Sequence, residues 1–178
     1  MYFPLLRNLS KYQIDPVAIN LLDSWLAIQR KATLKNLTPL RFSSQTNIDL
    51  DLAIDMFFCA TNDKIGVLRS RYRVLCPHCN NFISLHFKYE DIPNEDVTCK
   101  ECNYKFIPYR SLDYVEIVFE RILMPEHPLS HSELTRNQNE DLGISRNVPS
   151  LRVGEIITKP TARRLLFMGL DQRFDAAQ

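Results

Sequence analysis

An α+β fold is predicted for this chain by three observations. Apolar residues recur at helical spacing up to about residue 61, and beyond it they alternate at strand spacing. Between these regimes and the C-terminal part stand two cysteine pairs, Cys76-Pro77-His78-Cys79 and Cys99-Lys100-Glu101-Cys102, with nineteen residues (80–98) between them. Two thiolates on each of two tight turns supply four tetrahedral corners if the intervening chain doubles back, which is the spacing of a structural zinc site. The predicted architecture is a helical region over 1–75, a four-cysteine ribbon over 76–109 and a C-terminal extension of strand, polar connector and terminal helix over 110–178.

The first helix is predicted from Pro16 to about Ala32. Asp15 suits its cap, Pro16 its first position, and Arg30 and Lys31 its last turn. Val17, Leu21, Trp25 and Ile28, with Leu22 and Leu26 beside them, form an apolar face that needs a partner surface within this chain or on another subunit. Leu37 to Phe42 reads as a cap and a short helix, Ser43 to Asn47 as a polar turn, and about Asp49 to Thr61 as a second amphipathic helix carrying Leu52, Met56, Phe57 and Cys59. Gly66–Leu68 and Tyr72–Leu75 read as two short strands around Arg69-Ser70-Arg71. Helix, short helix, helix and hairpin is the order of a winged helix-turn-helix, with the hairpin leading into the first cysteine pair.

Phe82–Tyr89 alternates Ile83, Leu85, Phe87 and Tyr89 against Phe82, Ser84, His86 and Lys88, a strand period. Glu90–Asp96 reads as a turn and Tyr104–Tyr109 as a returning strand. An asparagine follows each pair, at Asn80 and Asn103, where a tight metal-binding turn calls for a left-handed residue. Asp113–Ile122 reads as a strand and Met124–Ser150 as a polar connector with a short helix near Ser130–Asn137. Leu151–Ile157 reads as another strand, and Thr158–Phe174 as the terminal helix.

Composition excludes several classes. Hydrophobic residues make up 45% and charged residues 24% of 178, as in an ordinary globular protein. The formal charge of +1 lacks the cationic excess of indiscriminate nucleic-acid or membrane binding. Gly66, Gly143, Gly154 and Gly169 are scattered, so no clustered-glycine loop for nucleotide phosphates can form. Five cysteines, an odd set without a signal-peptide pattern, predict a reducing, cytoplasmic setting, and no apolar run reaches membrane-span length.

The candidate site residues follow. Cys76, Cys79, Cys99 and Cys102 are assigned to one structural Zn2+, with His78 pointing outward and His86 a lesser ligand candidate. A catalytic zinc would keep one position open for water, and no surrounding βαβ pattern supports a redox role for either pair. Cys59 is assigned to the core, and His127 and His131, with Pro128 between them, to a loop. Arg69, Arg71 and Arg73 share one face of an extended strand, open to phosphate contact, to solvent or to an acidic partner. Asp49, Asp51 and Asp55 suit the positive end of their helix and would repel a nucleic-acid backbone. Lys159, Arg163, Arg164 and Arg173 make the terminal helix partly basic, and its Leu165, Leu166, Phe167, Met168 and Leu170 favour packing over membrane binding.

From about Leu37 to Tyr109, the residues Thr38-Pro39, Gly66-Val67-Leu68, Tyr72 to Cys79 and Cys99 to Cys102 resemble a winged-helix module followed by a C4 zinc ribbon, as in small prokaryotic regulators and accessory proteins. That resemblance implies nucleic-acid binding or a protein-adaptor role. The expectation is a non-enzymatic, zinc-stabilised interaction or adaptor protein, an accessory subunit that docks a protein partner and is open to homo-oligomerisation. The alternative is a nucleic-acid-binding regulator using Arg69, Arg71 and Arg73.

Overall fold

The computed structural model describes residues 1–126 and 150–157. It divides into two compact units: residues 1–69 with 119–126, and residues 70–118 with 150–157.

The first unit is helical. Its opening 3₁₀ helix, Pro4–Tyr12, buries Leu6 and Leu9 and is absent from the sequence-based reading. It is anchored from outside itself, because the buried Asp23 carboxylate accepts the amides of Tyr2 at 2.8 Å and Phe3 at 2.7 Å. Helix α1, Pro16–Ala27, starts as its sequence dictates, with Asp15 accepting from the Val17 amide at 2.6 Å and Pro16 in the first turn. It ends five residues before Ala32, so Arg30 and Lys31 lie beyond it. The Arg121 guanidinium donates to the Leu26 carbonyl at 2.7 Å, and Thr33 closes a separate turn on the Arg30 carbonyl at 2.9 Å. The buried face runs through Ile19, Leu22, Trp25 and Leu26, whereas Val17 is 67% exposed and Leu21 37%. Adjacent leucines at 21 and 22 leave the helix rotation undecided in the sequence; packing chooses Leu22.

Helix α2, Pro39–Thr46, is capped by Thr38, which accepts from the Arg41 amide at 3.2 Å. It runs through the polar stretch expected as a turn. The Thr46 hydroxyl donates to the Phe42 carbonyl at 2.7 Å, and left-handed Asn47, at φ 56°, ends the helix. Helix α3, Leu50–Cys59, is capped by Asp49, which accepts from Asp51 and Leu52, and Cys59 is core as expected. Trp25, Phe42, Phe57 and Phe119 pack with ring centroids 5.2–5.9 Å apart, so an aromatic cluster joins the three helices to one end of strand β5, Val115–Arg121. Leu37 and Phe119 exchange amide–carbonyl bonds at 2.8 and 2.9 Å.

The hairpin expected over 66–75 does not form. After a left-handed Gly66, at φ 57°, Leu68–Leu75 is one uninterrupted strand, β1. Arg69-Ser70-Arg71 contains no residue suited to the positive φ of a tight hairpin turn. Its arginines instead meet carboxylates of β5, Arg69 with Glu120 at 2.7 Å and Arg73 with Glu116 at 3.5 Å, pairs whose opposed numbering marks antiparallel neighbours. β1 turns through the first cysteine pair into β2, Phe82–His86, with Tyr72 opposite His86 and a register irregularity at Val74/Leu75.

Strands β3, Val97–Thr98, and β4, Lys105–Phe106, form a second hairpin around the second pair. The strand expected to reach Tyr109 stops earlier, because Pro108 opens a 3₁₀ turn to Arg110. The strand expected over 113–122 begins at Val115, after a 3₁₀ turn at Leu112–Tyr114. β6, Leu151–Arg152, pairs with β5 and completes the sheet order β2-β1-β5-β6. The strand expected to continue to Ile157 becomes helix α4, Val153–Ile157, where the Glu155 carboxylate accepts the Arg152 amide at 3.1 Å, the N-terminal half of a capping box. The helices expected near Ser130–Asn137 and Thr158–Phe174, and the residues His127, His131, Lys159, Arg163, Arg164 and Arg173, lie outside the described residues. Among the described residues, no helix is long and apolar enough to cross a membrane.

Candidate metal centre

The two cysteine pairs are the turns of two hairpins, and their backbones repeat each other. In the first, the Cys76 amide donates to the Asn81 carbonyl and the Asn80 amide to the Cys76 carbonyl, both at 2.9 Å. In the second, Cys99 donates to the Tyr104 carbonyl and Asn103 to the Cys99 carbonyl, again both at 2.9 Å. Asn80, at φ 55°, and Asn103, at φ 59°, occupy the left-handed region, as their positions after each pair predict. Such a turn directs two thiols to the same side, and β1–β2 and β3–β4 hold the turns against each other.

All four Sγ atoms lie within 4.8 Å of one another. Two pairs bridge the hairpins, Cys76 to Cys102 at 3.5 Å and Cys79 to Cys99 at 3.6 Å. A tetrahedron of thiolates about 2.3 Å from a central zinc has edges of about 3.8 Å. These separations fit that figure and are far beyond the ~2.05 Å of a disulfide. Cys76 and Cys99 are buried, while Cys79 and Cys102 are half-buried.

The protonation chemistry of the four thiols points the same way. Burial pushes the Cys76 thiol up, but the Cys79 and His78 amides and the neighbouring thiols outweigh it and bring it down to about 7. At Cys102 the Tyr104 amide favours the thiolate. Burial and the three other sulfurs overcome that preference and raise the thiol to about 12. Cys79 is raised as well: the Asn81 amide acts against the shift, while burial, Cys76 and Cys99 drive it. Cys79 and Cys102 thus resist ionisation beside Cys76, and a central cation would offset that repulsion. The four cysteines form a cluster that could hold one metal ion.

Histidine stays out of this set. His78 is exposed and stacks on Tyr104, with centroids 5.8 Å apart and planes 16° apart. His86 Nε2 lies 2.8 Å from the Ser84 hydroxyl. Arg69, Arg71 and Arg73 do share one face of β1, but two of them meet Glu120 and Glu116, and the Arg71 guanidinium lies 6.0 Å from the Phe87 ring centroid. Glu116 and Glu120 escaped the sequence reading, although their four-residue spacing matches that of Arg69 and Arg73 and was the available signal.

No curated protein and no solved structure matches the chain. A family model does match, over residues 3–124, a span that contains the four cysteines, helices α1–α3 and strands β1–β5. With that span covering more than half of the 178 residues, the chain belongs to DUF5939, a family of unknown function.

Proposed function

We propose that this chain is a non-enzymatic interaction protein, an accessory subunit in which one structural Zn2+ holds a two-hairpin platform for a protein partner. The observation that carries this reading is the closed donor set. Four protein thiolates fill a tetrahedral zinc shell and leave no position for water or substrate, so the metal supplies folding free energy rather than a reaction. The ribbon needs that contribution, since β3 and β4 are two residues each and make too little core to persist alone. Its surface is suited to contact, with Phe82 56%, Phe87 45% and Tyr104 44% exposed. A reducing cytoplasmic setting keeps such thiolates available to metal.

The finer kinship with winged-helix regulators rests on the α1–α2–α3 order, with β1–β2 taking the place of a wing. Two features weigh against the nucleic-acid alternative. Glu120 and Glu116 offset Arg69 and Arg73, and the acids Asp49 and Asp51 stand at the start of α3, where a recognition helix would approach phosphate.

Native mass spectrometry of the chain, with and without chelator and with short duplex and single-stranded oligonucleotides, tests the reading. The expected result is one zinc per chain and no nucleic-acid complex at moderate salt. A salt-sensitive complex abolished by reversing Arg69, Arg71 and Arg73 to glutamate would replace the adaptor with the regulator. A zinc held by three protein ligands and an exchangeable water would replace it with an enzyme.

A further inference from the structure

The four thiols of the ribbon differ in their access to solvent. Cys79 and Cys102, one on each hairpin turn, are half-buried, while Cys76 and Cys99 are buried. Each half-buried sulfur has a buried one from the opposite hairpin beside it: Cys79 stands 3.6 Å from Cys99, and Cys102 stands 3.5 Å from Cys76. Zinc ligation keeps a cysteine sulfur as thiolate, the form that reacts with peroxides. A reachable thiolate with a second one beside it is the arrangement of a sulfur that oxidises reversibly. The two hairpins belong to separate sheets, β2-β1-β5-β6 and β3-β4, so they can close on each other without breaking a ladder bond. Within a pair the spacing is held, since each turn is closed by its asparagine amide at 2.9 Å on the Cys76 or Cys99 carbonyl. Bridging across the hairpins therefore needs the smaller change, a closure of about 1.5 Å from these separations to the ~2.05 Å of a disulfide.

We propose that the cluster is a peroxide-responsive switch, in which oxidation exchanges the zinc for two cross-hairpin disulfides, Cys79–Cys99 and Cys76–Cys102. The switch rests on the zinc-platform reading and gives that platform a second, metal-free state. The Cys79 thiolate attacks one peroxide oxygen and becomes a sulfenic acid, and the hydroxide that leaves takes up a proton as water. The Cys99 thiolate then attacks the sulfenic sulfur, forming the S–S bond and expelling hydroxide, which is protonated to a second water. Two thiolates thus give two electrons to one peroxide, and two protons are consumed. A second peroxide takes Cys102 and Cys76 through the same steps. Disulfide sulfurs carry no anionic charge, so Zn2+ is released. The turns stay tethered, now covalently, and a dithiol reductant restores the thiolates, as a reducing compartment would. This stoichiometric response differs from the catalytic exchange of a redox CxxC motif, whose bridge lies within one pair.

The test titrates the zinc-loaded full chain with hydrogen peroxide beside a chromophoric zinc chelator, with a peroxide-free sample as the baseline. The expected result is loss of the bound zinc for about two peroxides consumed per chain, reversed by dithiothreitol and added zinc. Trypsin cleavage after Arg73, Lys88, Lys100 and Lys105 divides the four cysteines among peptides 74–88, 89–100 and 101–105. In the oxidised chain the first peptide should be joined to both of the others. Fragmentation between Cys76 and Cys79 should assign Cys79 to Cys99 and Cys76 to Cys102, while buried Cys59 stays a thiol. Bridges within each pair, sulfinic or sulfonic acids without bridges, or zinc retained after the thiols have oxidised would each overturn the switch. Those results leave the zinc platform standing, because the starting protein was zinc-loaded. A chain that carries no zinc before peroxide, or one with an open zinc position, would overturn both.

Discussion

Valine in place of Asn80 should weaken zinc binding, and glycine in the same place should not. Asn80 and Asn103 sit at φ 55° and 59°, in the region where a side-chain Cβ crowds the following carbonyl. That crowding costs about 1–2 kcal/mol for an ordinary residue and is worst for a β-branched one, while glycine is free of it and asparagine partly relieves it. The amide of residue 80 keeps its 2.9 Å bond to the Cys76 carbonyl in either variant, so the difference isolates backbone conformation. Because the metal and the turn form together, the cost appears in the zinc affinity as about a fivefold to thirtyfold loss for Asn80→Val. Asn103→Val should behave alike, and the double variant should depart from simple addition because both turns share one ion. Competition against a chromophoric chelator at fixed pH measures the ratio. Zinc affinities of Asn80→Val and Asn80→Gly within about twofold of each other would refute the argument that the left-handed turn limits the site.

Three further outcomes are expected. Cys76→Ser should lower zinc affinity by on the order of a hundredfold or more, since one of four ligands to a site of about 10–16 kcal/mol is lost, whereas Cys59→Ser should leave zinc binding unchanged and cost about 1–3 kcal/mol in thermal unfolding as a hydroxyl enters the core. Tyr72 is buried and its hydroxyl is pushed up to about 12, chiefly by burial with a smaller contribution from Glu90, while a bond to Ser70 acts the other way. The folded state thus holds its proton more tightly than the unfolded chain. The resulting stability of about 2–3 kcal/mol is complete below pH 10 and disappears as the pH rises through about 12, and Tyr72→Phe should flatten that part of the denaturation-against-pH curve. Asp23→Ala should destabilise the helical unit by about 2–4 kcal/mol by leaving the amides of Tyr2 and Phe3 without their acceptor, and Asp23→Asn, which keeps one oxygen, should cost less in the same melting experiment.

The four-cysteine cluster was legible residue by residue. Each turn closes within six residues, Cys76 to Asn81 and Cys99 to Tyr104, so ligand spacing and the left-handed asparagine are local facts that a sequence displays directly. The caps at Asp15 and Thr38 were legible for the same reason, whereas Asp49, read only as an acid suited to the positive end of its helix, proves to be the cap of α3. The arginines at 69, 71 and 73 show the limit. Their shared face follows from strand alternation, but the glutamates that meet two of them lie more than forty residues along the chain, and the local reading broke β1 into a hairpin.

The sequence by itself determined the four clustered cysteines, which could hold one metal ion, the handedness of both turns, the starts of the three main helices and the core role of Cys59. Each depends on covalent geometry and on hydrogen bonds between near neighbours. Only the tertiary structure decided where α1 stops, which of Leu21 and Leu22 turns inward, that Asp23 anchors the opening 3₁₀ helix and that β1 runs unbroken. In each of those cases the deciding partner comes from a distant segment. A carbonyl, a leucine or a strand edge carries no mark in the sequence of which long-range group will reach it.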